Sequence, residues 1–298
     1  MESKPQSWWS RFAYASKVLF WLILVFLIVQ MAFAPYRLDA TRSKILKQFQ
    51  EERKSRVIAM IHRRETISFL GVPVSSSISI EDSEAVLRAI RLTPPEQPID
   101  FILHTPGGLV LAAEQIAKAL VEHKGKVTVF VPHYAMSGGT LIALTADEIV
   151  MDPNAVLGPV DPQIGSMPAA SIVKLLKLKP SAKISDEMLI LADVATKARL
   201  QVTSFVAEIL SKHLPKNKAL DLAVILSEGR WTHDFPITVG LAKQFGIPIT
   251  VNMPQTIYNL MDLYPQSDTG RPSVLYVPLR PAASDKGKSP RRSPSPPT

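Results

Sequence analysis

The chain has 298 residues, 46% of them hydrophobic, and a formal net charge of +8. That length suits one large domain with appendages, and the apolar fraction suffices for a core. There is no cysteine, which excludes disulfides, thiolate nucleophiles and cysteine-type zinc sites.

Residues 1–17 form a short N-terminal tail that carries Lys4, Arg11 and Lys17. Val18–Ala34 follows, seventeen residues with no charge and a single glutamine, at the short end of what spans a bilayer. Ala32-Phe33-Ala34 has the form of a signal-peptide cleavage site, but Pro35 would then be the first mature residue. The apolar run is also longer than a usual signal core. The segment therefore predicts one uncleaved transmembrane helix over 18–35. Lys4, Arg11 and Lys17 lie on one side of it. Arg37, Arg42, Lys44, Lys47, Arg53 and Lys54 lie on the other. That excess predicts a single-pass protein with its large domain in the cytoplasm.

Residues 36–55 read as a juxtamembrane helical stalk carrying Ile45, Leu46 and Phe49, and residues 56–265 as the main domain. Val57–Ile61 is β-like. Ile78–Arg91 opens with Ser79 and Asp82 in a capping-box arrangement, then shows Val86, Leu87 and Ile90 at helical spacing. Strand Ile99–Leu103, helix Val110–Val121, strand Val127–Val131, helix Gly138–Thr145 and strand Glu148–Met151 follow in alternation. Alternation of this kind predicts parallel pairing in a layered α/β fold. Asp186–Leu210 is a long helix with the stripe Leu191, Val194, Ala198, Val202, Phe205 and Ile209. Residues 266–298 are rich in Pro and Ser and read as a disordered basic tail. Within Pro281–Thr298, Lys286, Lys288, Arg291 and Arg292 stand against Asp285 alone. No aromatic residues interleave with these charges, so no nucleic-acid partner is expected.

Two glycine-pair segments carry the chemistry. His104-Thr105-Pro106-Gly107-Gly108 and Tyr134-Ala135-Met136-Ser137-Gly138-Gly139-Thr140 each follow a strand-like run and open a helix-like one. Taken singly, each is a tight turn or a helix cap. Together they supply a serine hydroxyl among small residues and two clusters of amides not used by a helix, the minimum for acyl transfer. No metal constellation is present: there is no H-E-x-x-H motif and no carboxylate cluster at ligand spacing.

The segments Asp100–Gly108, Ala135–Thr140, Asp152–Gln163 and Gly229–Gly246 resemble those of the serine dehydrogenase proteinase family, over residues 55–265. That family is related to the signal peptide peptidase-type serine peptidases. The resemblance implies a Clp-protease/crotonase-like spiral of ββα units, in a membrane-anchored bacterial member. It makes Ser137 the nucleophile, with the amides of Gly138 and of Gly107 or Gly108 as oxyanion hole. It implies a peptide or protein substrate and a homo-oligomer. Despite the family name, no G-x-G-x-x-G follows a strand and no nicotinamide or PLP fingerprint is visible, so no cofactor is expected.

The general base is less plain. Soluble Clp peptidases carry a histidine where this chain has Pro153–Gln163, which contains none; Asp161 stands at about that place. Membrane-bound relatives use a lysine from a later helix, and Lys197 matches best by placement. At the edge of an apolar stripe, a half-buried amine loses its proton more readily. Lys179 and Lys183 are weaker matches. His104, just before the first glycine pair, and Asp161 are supporting candidates, although Asp152 and Asp161 also suit loop turns as Asp-Pro steps. His233 and Asp234 are adjacent, so on a strand they point apart and do not read as a dyad. Val173, Leu175, Leu176 and Leu178 form an apolar cluster suited to a subunit contact or to covering a substrate groove. Two other classes share this fold: a crotonase-like acyl-CoA enzyme, which needs no serine at this turn, and a catalytically idle membrane-bound scaffold.

Overall fold

The computed structural model describes residues 8–62, 67–69, 72–74 and 77–264. Residues 266–298, read as a disordered tail, lie outside them. Helix α1 (Trp8–Arg53) leads into strand β1 (Arg56–Ile61), the hairpin β2 (Ile67–Phe69) and β3 (Val72–Val74), and helix α2 (Ile80–Arg91). Next come β4 (Ile99–His104), α3 (Val110–Glu122), β5 (Val127–Val131), β6 (Tyr134–Ala135), α4 (Gly138–Ala143), β7 (Glu148–Met151) and β8 (Val156–Leu157). A small hairpin, β9 (Gln163–Ile164) and β10 (Met167–Pro168), precedes α5 (Ala169–Leu178), α6 (Asp186–Leu210) and α7 (Lys216–Ser227). The described part closes with β11 (Ile237–Thr238), α8 (Val239–Gln244), β12 (Ile249–Thr250) and α9 (Gln255–Met261).

The main sheet runs β1-β4-β5-β7-β12, with every pair parallel. β4 and β5 are buried at every position, because a parallel sheet is covered on both faces. Side-chain alternation divides each strand between two cores. Phe101, Leu103, Val129 and Val131 face the cluster that holds Ile116 and Leu120 of α3. Ile102 and Phe130 face Phe49, Ile257 and Leu260. A second, smaller sheet, β11-β8-β6, lies next to the candidate serine.

α2 begins as expected. Ser79 Oγ accepts from the Asp82 amide, and the Asp82 carboxylate accepts from the Ser79 amide at 2.8 Å. In α6 the predicted stripe holds at Val202, Phe205 and Ile209 but is displaced in its first turns. Ala192, Ala195, Val202, Val206 and Ile209 are buried, whereas Val194 is exposed. The small residues Ala192 and Ala195 let α5 approach through Ala169 and Ile172. That close packing fixes the phase of the helix.

The expected stalk is part of the domain. α1 is one helix of 46 residues, and its last turns dock on the sheet. Phe49 is 2% exposed and meets Phe130 edge-on, with ring centroids 5.6 Å apart. Arg53 donates to both oxygens of buried Asp100, at 2.8 and 3.0 Å, and Ser55 Oγ donates to the same carboxylate at 2.6 Å. Arg42 donates to the Leu263 carbonyl at 2.6 Å and lies over the Tyr264 ring. Among the described residues no helix is long and apolar enough to cross a membrane. The side chains of 30–36, which include the end of the predicted span, lie outside the described ones. The large apolar side chains from Val18 to Val29 are exposed, apart from half-exposed Leu24.

Candidate active site

Strand β5 ends at Val131, and the chain turns back through β6 toward Ser137. β6 pairs with β8, and Ala135 also bridges to Thr105. The Met136 amide donates to the Thr105 carbonyl at 3.0 Å, and the Thr105 amide donates to the Tyr134 carbonyl at 3.2 Å. The two glycine-pair segments of the sequence are therefore stitched side by side. Thr140 locks the far end: its hydroxyl donates to the Ala135 carbonyl at 2.7 Å and accepts from the Gly158 amide at 2.9 Å.

Held between these elements, Ser137 has φ 50° and ψ −119°. A non-glycine residue at positive φ stores strain that only a well-determined surrounding maintains. Gly107, at φ 104°, presses against it: a Cβ there would lie 2.7 Å from Ser137 Cβ. Gly108 approaches Ile78 just as closely, since a Cβ on it would stand 2.3 Å from the Ile78 nitrogen and oxygen. A side chain at Gly107 would push the two segments apart, and one at Gly108 would push the turn off Ile78.

The amides sort themselves. Gly107 N–H donates to Thr105 Oγ1 at 3.1 Å, and Leu109 N–H donates to the Ile78 carbonyl at 2.9 Å. Gly108 N–H, between them, has no partner among the described residues. Nor does Gly138 N–H, at the first position of α4, where the helix offers no acceptor. The Gly108 nitrogen lies 3.8 Å from where a Cβ on Gly138 would stand. Of the three glycines expected to form an oxyanion hole, Gly108 and Gly138 present free donors beside Ser137. Gly107 does not, because its amide is taken.

Ser137 opens into a cavity of about 240 Å³ walled by Val110, Leu141, Val160 and Val202. Its polar lining, besides Ser137 and the two free amides, is Asp161, Gln163 and His233. Asp161 is 2% exposed. It accepts from Gln163 Nε2 at 2.7 Å and from His233 Nδ1 at 2.8 Å. A carboxylate only accepts, so Nδ1 carries the hydrogen and Nε2 is the nitrogen left for a substrate or a serine. Sequence reading had Asp161 as a supporting residue but dismissed His233 with its neighbour Asp234. Its partner is instead Asp161, and the one available signal was that GRWTHDF and DPNAVLGPVDPQ both belong to the resembling segments.

The structure does not bring Lys197 into this cavity. It lies on an exposed face of α6, and its ammonium holds Asp193 at 2.5 Å, one turn back along the helix. Lys179 and Lys183 are also exposed and outside the lining. His104 ends β4 buried, its ring 4.3 Å from that of Tyr134. It borders a neighbouring cavity, shared with His233, and not the one at Ser137. Asp152 accepts from the Tyr258 hydroxyl at 2.5 Å, which pushes that phenol up to about 12; its role is to tie α9 to the loop after β7. Trp231 stacks flat on Phe235 at 4.8 Å, a packing contact.

A serine at positive φ, two amides without a partner among the described residues and a carboxylate–imidazole pair line one cavity, the groups that acyl-transfer chemistry uses. The sequence profile of the ClpP-like SDH-type serine proteinases matches residues 7–291, and the chain belongs to that family and is a serine-type peptidase. Two proteins of Methanocaldococcus jannaschii are similar along most of their length. MJ0137 is 52% identical over 265 residues, covering 89% of this chain and 93% of the relative. MJ1495 is 53% identical over 258 residues, covering 87% of each. Among solved structures, ClpP1 from Listeria monocytogenes superposes with a TM-score of 0.43 at 17% identity, covering 69% of this chain and 97% of that one.

Proposed function

We propose that Ser137 is the nucleophile of a membrane-anchored peptidase, that Gly108 and Gly138 form its oxyanion hole, and that His233, oriented by Asp161, is its general base. The observation that carries this reading is the convergence of Ser137, both free amides and the Asp161–His233 pair on one cavity. Ser137 Oγ attacks the scissile carbonyl as its proton passes to His233 Nε2. The tetrahedral oxyanion is held by the Gly108 and Gly138 N–H groups. His233 returns the proton to the departing amine, the C–N bond breaks, and an ester remains on Ser137. Water then attacks the ester, giving its proton to His233, and the C–O bond to Ser137 breaks with return of that proton. Asp161 keeps Nδ1 protonated and stabilises the imidazolium without taking the proton.

The apolar wall of the cavity suits an uncharged side chain next to the cleaved bond. Exposed apolar residues Val18–Val29, continued in the sequence to Ala34, support a membrane anchor. The basic excess after it supports a cytoplasmic catalytic domain. Leu176 and Leu178 of α5, with Ile190 and Val194 of α6, are exposed and support a homo-oligomer built on this face.

The deciding experiment is labelling of the detergent-solubilised protein with a fluorophosphonate probe, followed by mass spectrometry. The expected adduct is on Ser137, and Ser137→Ala abolishes both labelling and peptide hydrolysis while the melting temperature holds. A chain unlabelled at Ser137 is an idle scaffold or a crotonase-like enzyme.

A further inference from the structure

The free Gly108 amide lies between two tied neighbours, and the tie runs further than the turn itself. The register of β1 and β4 pairs Ile61 with His104, and the His62 amide continues it by donating to the His104 carbonyl at 2.8 Å. His62 therefore sits alongside Thr105, with its imidazole buried to 8% exposure. Its Nδ1 lies 2.8 Å from Thr105 Oγ1, and its Nε2 lies 3.2 Å from Asp82 Oδ2. Asp82 is the capping carboxylate of α2, bonded to the Ser79 amide and hydroxyl. Ile78, beside Ser79, closes the circuit by donating its amide to the Gly107 carbonyl at 2.7 Å.

We infer that His62 is a positioning residue of the oxyanion turn: with Thr105 and Asp82 it completes a hydrogen-bonded ring, Gly107–Thr105–His62–Asp82–Ser79–Ile78, that holds Gly108 N–H toward Ser137. The inference rests on the reading of Gly108 as an oxyanion donor. With a neutral His62, one arrangement of hydrogens satisfies every member, the Thr105 hydroxyl turning to His62 Nδ1 at 2.8 Å in preference to the Gly107 carbonyl at 3.4 Å. Asp82 only accepts, so Nε2 carries the hydrogen given to it. Nδ1 is then an acceptor and takes the Thr105 hydroxyl hydrogen, which leaves a Thr105 lone pair for the Gly107 amide. Burial, set against the nearby Asp82 charge, holds the His62 imidazole below its ordinary value, which favours the neutral ring; Asp82 as acceptor selects the Nε2–H tautomer. Each bond in such a chain polarises the next. Removing the Thr105 hydroxyl would leave the Gly107 amide and His62 Nδ1 buried without partners, so the turn would relax away from this geometry.

The test is the rate of fluorophosphonate reaction at Ser137, resolved into reversible affinity and maximal rate, for the full-length protein in detergent. Thr105→Val keeps the shape and deletes the hydroxyl; His62→Ala removes the link to α2. Both are expected to lower the maximal rate at least tenfold, with affinity for the unreacted probe within a factor of two. Thr105→Ser restores the rate. A merely structural role would instead lower affinity and melting temperature together, and Ser would restore only the latter. Should either variant fail to fold, nitrogen-15 spectra of histidine-labelled wild type decide: an Nε2–H tautomer with a hydrogen-bonded Nδ1 at His62 is expected, and an Nδ1–H or doubly protonated ring overturns the ring of bonds. A wild-type rate in folded Thr105→Val or His62→Ala overturns the inference and leaves the peptidase reading standing. Failure to label wild type at Ser137 overturns both.

Discussion

His233 gives its Nδ1 hydrogen to Asp161 across 2.8 Å, from 72 positions further along the chain. The carboxylate is almost fully buried, and Gln163 holds its other oxygen. The imidazole is thereby fixed in one tautomer at the edge of the cavity that Ser137 enters. His233→Ala is expected to lower kcat by about 10²- to 10⁴-fold, the usual worth of a positioned general base. Asp161→Asn should lower it as well, because an amide at that place can present its NH₂ to Nδ1 and favour the wrong tautomer. Lys197→Ala should leave kcat within twofold of wild type, since that ammonium is spent on exposed Asp193. Steady-state hydrolysis of a fluorogenic peptide by the three variants is the measurement. Loss of activity in Lys197→Ala with a retained rate in His233→Ala would return the base role to the lysine.

Gly108 allows a sharper test of the oxyanion hole. Its absent Cβ would collide with the Ile78 backbone at 2.3 Å, and backbone atoms cannot swing aside as a side chain can. Gly108→Ala must therefore move the turn away from Ile78 and carry the free amide with it. Loss of one such donor costs roughly 10²- to 10³-fold in kcat. KM should change little, because the ground-state carbonyl depends less on that hydrogen bond than the tetrahedral intermediate does. A Gly108→Ala variant with unchanged kcat would remove the turn from the mechanism.

Acid should loosen the domain through two histidines. Burial holds His62 below its ordinary value of 6.5, partly offset by Asp82. Burial and the Lys212 charge do the same at His213, partly offset by Asp147. In each case the unfolded chain binds the proton more readily than the folded one, so stability rises with pH across the window. The contribution is complete above about pH 6.5 and is lost as pH falls through the depressed values. The melting temperature is expected to be flat above neutrality and to decline as pH drops below about 6.5. Replacing both histidines by Gln should flatten that decline. An identical decline in the double variant would place the acid sensitivity elsewhere.

Much of this was legible in the sequence wherever the cause is local. Strands β4 and β5 announce themselves because a parallel strand covered on both faces is mostly apolar, Asp100, His104 and Thr128 being the exceptions. The Ser79–Asp82 cap is a spacing of three, and Ser137 just before its glycine pair is a turn signature. What was missed depends on contacts across the fold. Adjacent Asp234 drew attention from the Asp161–His233 pair, because alternation along a strand says only that neighbours diverge. Lys197 was favoured by its placement on a later helix and by a stripe that ran through Val194 in the first turns. Small Ala192 and Ala195 set the phase there instead, by letting α5 pack close. The third bond to Asp82, from His62, could not be read from the sequence because it depends on the β1–β4 register.

The boundary between the exposed apolar part of α1 and the enzyme domain yields the last prediction. By sequence the domain starts at residue 56, after a polar stalk, yet the end of α1 is built into the sheet's second face. Phe49 fills the space against Phe130, while Ile45 and Leu46 extend the same patch. Arg53 reaches Asp100, a carboxylate at the heart of β4 that keeps only Ser55 Oγ otherwise. A chain begun at residue 56 loses the Phe49 packing and both the Arg53 and Ser55 donors, exposes the Ile102–Phe130–Val150 face and leaves the buried Asp100 carboxylate without cation or hydroxyl. A chain begun at residue 37 sheds the exposed apolar run but keeps the dock. The longer form is therefore expected to be folded and active without detergent, and the shorter one to aggregate or melt far lower. Within the full chain, Phe49→Ala should cost about 3–5 kcal/mol, as truncation of a buried aromatic does. Arg53→Ala should cost about 1–3 kcal/mol, the desolvation left uncompensated at Asp100 and eased by Ser55 and by the partial exposure of the arginine. Thermal melts of the two truncated forms and two variants measure this directly. Equal melting temperatures for the chains begun at 37 and 56 would make the end of α1 a stalk after all.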